Sequence, residues 1–228
     1  MTRNDVREAA AEAAALMEAY LARPVLRGIS HVIAAFVALI GMFVLVVQAG
    51  APLQFVASAI YGAGLTASLG VSALYHRIRW RPRAHAWIRK LDHSMIFVLI
   101  ASSYTPIILL AVNASWKWWA IAFVWIVAGS AVIVRLSVPQ LPRPVMVSLG
   151  LALGWSALAL IPALQAMSTT ALVLVATSGV LYTCGALVYL TKRPDPLPRV
   201  FGFHEIFHAF VVAAATLHFI AVYPLVTA

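Results

Sequence analysis

"HEIFHAFVVAAATLHFIAVYPLV", residues 204–226, supports two readings at once. Its length and apolarity suit a bilayer crossing, which takes roughly 20 mostly apolar residues. Its first five residues, H-E-x-x-H, have the spacing by which two histidines one helical turn apart grip a metal ion. In zinc proteases the glutamate between them is the general base. The length speaks to the fold, and the histidines to the chemistry.

Six further apolar segments of similar length precede it, at about 28–49, 53–75, 91–112, 117–137, 145–164 and 169–191. The last crossing is placed at 205–226. Breakers such as "GAP" at 50–52 and "PQLPRP" at 139–144 separate the segments. The chain has 228 residues, 63% hydrophobic and 10% charged, with a mean hydropathy of +0.95. A soluble domain of this length has too little interior for so much apolar surface. The expected fold is an all-α, seven-helix transmembrane bundle occupying residues 24–228. Residues 1–23, "MTRNDVREAAAEAAALMEAYLAR", lack the apolar core of a secretory signal. They read as a cytosolic amphipathic helix ending before Pro24, with a position on the membrane surface as the alternative.

Basic residues set the orientation. Arg3, Arg7, Arg23 and Arg27 precede the first crossing. Arg77, Arg79, Arg81, Arg83, Arg89 and Lys90 follow the second, Arg135 and Arg143 flank the fourth connection, and Lys192, Arg193 and Arg199 follow the sixth. Lys117 alone falls on the other side. The positive-inside rule places the N-terminus in the cytosol and, after seven crossings, the C-terminus outside. Trp116, Trp118 and Trp119 then fall at the outer interface, where indoles anchor. Topology accounts for the net charge of +9, so nucleic acid is excluded as a partner. Membrane lipids are the expected partners, and the "RIRWRPR" run at 77–83 can also hold anionic headgroups. Protein partners are not specified by the sequence. The single cysteine, Cys184, permits no intrachain disulfide and no thiolate-rich metal site.

Ionisable groups within crossings are costly and mark functional candidates. Ser68, Ser72 and His76 recur every four residues at the cytosolic end of the second crossing. Asp92 and His93 open the third, and His204, Glu205 and His208 open the seventh, at the same depth. His204 and His208 share a helix face, and His76 from a facing helix supplies a third imidazole. Three histidines leave a tetrahedral zinc one open position for water, as in catalytic sites, and zinc lowers that water's pKa towards about 7. A carboxylate such as Asp92 can orient the water and take its proton. Imidazole also suits iron, copper and nickel, and interior hydrogen bonding is the alternative to metal binding.

"SALYH" at 72–76, "LDHSMIFVLIASSYTP" at 91–106 and "HEIFHAFVVAAATLHF" at 204–219 resemble the hemolysin III family. This is the mostly bacterial branch of the progestin and adipoQ receptor superfamily, which includes the adiponectin receptors. The likeness runs from the first crossing to the last. It implies a seven-helix fold in the bacterial cytoplasmic (inner) membrane, with the N-terminus inside and Zn2+ near the cytosolic leaflet. It carries the metal ligands onto His76, His204 and His208, and the water-holding catalytic roles onto Ser72 and Asp92. In the receptor branch the position of Glu205 can be a glutamine, so a protease reading is not favoured. Glu205 also lies about 100° around the helix from His204.

The remaining polar residues receive plainer readings. His218, about 15 Å deeper than His204, is expected to hydrogen-bond another crossing, with proton movement or cavity lining as the alternative. His31 and His85 read as interface or loop residues, and His93 as a partner of Asp92. Thr105-Pro106 predicts a kink, and Gly62, Gly64 and Gly70 predict close helix contact.

Three functions are compatible with these residues. The first is an intramembrane zinc hydrolase of a lipid amide or ester, supported by the resemblance to adiponectin receptors, which are linked to ceramide hydrolysis. The second is a non-enzymatic regulator of membrane homeostasis in which zinc staples helices. The third is the pore-forming, haemolytic activity that named the family, which the apolar outer halves argue against.

Overall fold

In the computed structural model the chain runs as seven long helices joined by short connections; the residues described are Arg7, 24–138, 141–164 and 167–227. The helices are α1 (Ile29–Gln48), α2 (Pro52–Arg77), α3 (Pro82–Pro106), α4 (Lys117–Ser137), α5 (Arg143–Trp155), α6 (Thr169–Thr191) and α7 (Phe203–Thr227). A π-helical turn, Ile107–Ala111, prolongs α3, and 3₁₀ turns, Ser156–Ala163, prolong α5. With these extensions all seven are long and apolar enough to cross a membrane. The expected helix at 1–23 lies outside the described residues, apart from Arg7.

The third crossing begins earlier than the expected 91. Helix α3 starts at Pro82 and takes up most of the 77–90 loop. Proline is well suited to a first helical turn, where its missing N–H would be unbonded anyway. The kink expected at Thr105-Pro106 takes the form of the π-helical turn that follows Pro106. Proline withholds an N–H from the preceding turn, and a widened turn is one way to absorb the gap.

The bundle is built inside out. Ile33, Phe36, Val37 and Val47 of α1 face outward, exposed by 60% or more (61% for Ile33, 80% for Val47). Ser58, Ser68, Ser72, Ser94, Ser102 and Thr105 are buried. Lipid does not drive apolar faces inward, so small and hydroxylated residues are found where membrane helices meet. Ser94, Ser102 and Thr105 donate to carbonyls of their own helix, and a few polar side chains also link neighbouring helices. Ser68 Oγ donates to Gly64 O in its own helix at 2.7 Å and lies 3.1 Å from Met95 O of α3. Trp125 Nε1 of α4 donates to Thr105 Oγ1 at 3.2 Å. Tyr104 Oη sits 2.8 Å from the carbonyl oxygens of both Leu153 and Gly154, where α5 tightens into 3₁₀ geometry. Trp155 Nε1 donates to Thr183 Oγ1 at 3.0 Å, joining α5 to α6.

Sequential helices pack against one another, and α7 lies between α6 and α1, closing a ring. Gly64 allows α2 and α3 to meet: a Cβ there would fall 2.2 Å from Ser102 Oγ. Gly62 makes a similar approach to Met42, whereas Gly70 faces open space and is not the contact expected of it. At one end of the ring, Val25 N–H donates to Arg199 O at 3.0 Å and Leu26 N–H to Val200 O at 3.3 Å. This strap ties the chain before α1 to the connection before α7. It lies at the end of the bundle that carries nearly all the arginines, called the basic end below. Trp116, Trp118 and Trp119 are exposed at the opposite end.

Candidate metal centre

The site forms where α1, α2 and α7 meet at the basic end. The last turn of α2 supplies His76, and the first two turns of α7 supply His204 and His208. One ligand atom from each imidazole lies within 4.8 Å of the others. His76 Nε2 and His204 Nε2 are 3.1 Å apart. Two nitrogens on one tetrahedral zinc, each about 2.05 Å from it, would sit about 3.3 Å apart. The pair therefore already has close to the spacing of ligands to a shared ion. His208 Nδ1 is buried without a hydrogen-bond partner among the described residues, an orphaned polar atom in a site made of imidazoles. The donor set fits a divalent ion.

Local structure explains the approach. Gly28 has φ +77°, in the left-handed region, and opens α1. A Cβ on Gly28 would stand 2.6 Å from His76 Cβ, so only glycine lets α1 begin against this histidine. On α7, the Glu205 carboxylate is turned to structural use. Its Oε2 accepts the Gly202 N–H at 2.9 Å, and its Oε1 pairs with Arg27 Nε. Asp195 Oδ1 accepts the Phe203 N–H at 2.9 Å. Two carboxylates thus occupy unpaired donors at the helix N-terminus, where negative charge is favoured. Glu205 is held by Arg27 and the backbone, which leaves it unsuited to act as a protease base.

Asp92 and Ser72 line the same cavity as the three histidines. The Ser72 side chain lies near the Asp92 carboxylate. The cavity has a volume of about 1100 Å³ and runs from these residues to Leu164 and Thr169 near the far end of the bundle. Its deeper wall is formed largely by leucine and isoleucine side chains, including Leu99, Ile107, Leu160 and Leu172. A mostly apolar chamber with a few convergent polar groups is the usual form of a small-molecule site.

Other sequence expectations fare unevenly. His218 Nε2 lies 3.2 Å from Ser103 O of α3, the interhelical hydrogen bond anticipated. His93, read from the sequence as a partner of Asp92, places its Nδ1 3.2 Å from Arg135 Nη2. His31 lies in the first turn of α1 and not in a loop. It is buried and stacks on His208, with ring centroids 3.8 Å apart and planes 6° from parallel. A lone histidine in an apolar helix has no spacing pattern to announce such a role. Its placement inside a crossing was the available signal.

The family model described as haemolysin-III related matches residues 19–219. The chain belongs to this family. It is 27% identical to Hemolysin-3 of Bacillus cereus over 210 residues, covering 90% of the chain and 93% of that protein. It is 26% identical to the Hemolysin-3 homolog of Bacillus subtilis (strain 168) over 188 residues, covering 81% of the chain and 84% of that protein. Monocyte to macrophage differentiation factor of Homo sapiens is 26% identical over 175 residues, covering 72% of the chain and 68% of that protein. The match extends through all three histidines of the centre, and the chain is an integral membrane protein.

Proposed function

We propose that this haemolysin-III family member is a zinc-dependent intramembrane hydrolase of a lipid amide or ester. The observation that carries the reading is the opening of the three-histidine group, with Asp92 and Ser72, into a large and mostly apolar cavity. His76, His204 and His208 would hold the zinc. When bound, zinc supplies a Lewis acid that polarises a carbonyl and acidifies water. The Asp92 carboxylate accepts the proton of the attacking water and returns it to the leaving amine or alkoxide as the acyl C–N or C–O bond breaks. The Ser72 hydroxyl fixes the carboxylate's orientation, and the leucine-lined depth of the cavity receives an acyl chain.

The positive-inside distribution supports placing the basic end, and with it the centre, at the cytosolic face. The Bacillus relatives support a bacterial cytoplasmic membrane. A structural role for the zinc has one observation in its favour, since the ligands join α2 to α7 across an otherwise slight contact.

The test compares purified wild type with Asp92→Asn on a panel of acyl-amide and acyl-ester lipids, with zinc content measured in parallel. Turnover in wild type and its loss in Asp92→Asn at unchanged zinc content supports hydrolysis. Zinc bound in both with no turnover in either leaves the metal as a staple and ends the hydrolase reading.

A further inference from the structure

Arg135 is a buried cation that lacks a counter-charge among the described residues. It lies in the last turn of α4, 4% exposed, and its Nε and Nη1 have no hydrogen-bond partner among the described residues. Nη2 alone is engaged, by His93. A guanidinium withdrawn from water without an anion is strongly unfavourable, and charged side chains inside a membrane bundle mark ligand sites. A helix C-terminus favours a cation, yet the Leu136 carbonyl there accepts from Lys90 Nζ at 2.7 Å.

The carboxylates among the described residues are committed elsewhere. Of seven acidic residues, three lie among the described residues: Asp92, Asp195 and Glu205. Glu205 serves Arg27 and Gly202, Asp195 serves Phe203, and Asp92 faces Ser72. Arg27–Glu205 is the one ion pair among the described residues.

Two more guanidinia converge on the same place. Arg89 of α3 and Arg143 of α5 are exposed at the basic end and line the cavity with Arg135. Arg143 lies over the Tyr189 ring, 5.4 Å from its centroid, and all three arginines are within electrostatic reach of Tyr189. Behind them stands the leucine-lined chamber. The combination is a cationic mouth on an apolar cavity.

We infer that Arg135, with Arg89 and Arg143, binds the phosphate headgroup of an anionic lipid whose acyl chain enters the cavity. Guanidinium forks match phosphate oxygens bidentately, and three of them suit a group with several oxygens. The volume and apolarity of the chamber favour a lipid over free phosphate. This site holds whether or not the metal centre is catalytic, because headgroup capture requires no turnover.

Calorimetric titration of the full chain in neutral detergent with dioctanoyl phosphatidic acid tests it. Saturable binding near one per chain is expected, weakened about tenfold or more in Arg135→Gln by loss of a charge-assisted fork. Arg143→Gln, on an exposed residue, should weaken it about threefold at the rim without threatening the fold. Arg135→Lys keeps the charge without the fork and should fall between wild type and Arg135→Gln. Equal affinity in wild type and Arg135→Gln, or equally tight binding of dioctanoylglycerol, overturns the assignment. Inorganic phosphate displacing the lipid at equal concentration overturns the lipid part of it. Arg135→Gln melting no lower than wild type in lipid-free detergent is the expected mark of a binding residue; a large drop would make Arg135 a structural one.

Discussion

His31 and His208 lie face to face across the α1–α7 contact, 3.8 Å between ring centroids and 6° from parallel. Neither nitrogen of His31 has a hydrogen-bond partner among the described residues, so it is the ring face that bears on His208. Residues that support ligands from behind commonly alter metal affinity by about 10–100-fold when removed. His31→Ala is therefore expected to weaken zinc binding about tenfold, whereas His31→Phe, which keeps a flat ring, should stay within about twofold. Competition against a chromophoric chelator reads both. Equal losses in the two variants would show that a nitrogen of His31 matters and not its face.

The ligand set and the proton acceptor are separable. His208→Ala should purify without stoichiometric metal, while wild type should carry about one zinc per chain through its three imidazoles. Asp92→Asn should retain the metal and lose turnover by about 10²-fold or more, the range for removing a general base. Elemental mass spectrometry on both proteins, beside a lipid-turnover assay, checks the pair. Metal-free wild type that is otherwise well folded would remove the hydrolase reading.

Glu205 should behave as a fold residue. Glu205→Gln breaks a partly buried ion pair with Arg27 and weakens the cap on Gly202, costing about 1–3 kcal/mol of stability. Activity per folded, zinc-loaded molecule should be unchanged. Thermal unfolding in detergent gives the first quantity and metal-normalised turnover the second. A variant that is stable and zinc-loaded yet inactive would put Glu205 back into the chemistry.

Gly28 should resist even a methyl group. Gly28→Ala places a Cβ at φ +77° and 2.6 Å from His76 Cβ. Left-handed backbone alone costs a non-glycine residue about 1–2 kcal/mol, and displacement of His76 should also lower zinc affinity. Melting temperature and chelator competition should fall together. A drop in stability with affinity intact would mean that α1 moves and the histidine stays.

The parts of this molecule that lipid dictates were legible in the sequence. Hydrocarbon thickness fixes how long and how apolar a crossing must be, so seven crossings can be counted without any contact information. His204 and His208 announce themselves because their partnership is local, one helical turn apart. His76 follows only by depth, and topology supplies that. His31, by contrast, meets a partner at the other end of the chain, and neither stretch of sequence encodes the meeting. The lack of a counter-charge for Arg135 among the described residues is equally hidden, since it depends on where the described carboxylates point. The start of α3 at Pro82 was missed for another reason: its first residues are too polar to count as membrane, yet they are well able to form helix.

The strap from Val25 and Leu26 to Arg199 and Val200, with the Arg27–Glu205 pair beside it, joins the chain before α1 to the start of α7. Synthesis proceeds from the N-terminus, so α1 and α2 emerge long before α7 exists to receive them. A nascent chain halted before Phe203 holds His76 and neither of its partners. A metal site built from these three histidines therefore could not assemble on a partial product, and its filling would report that α7 has been made, inserted and docked against α2.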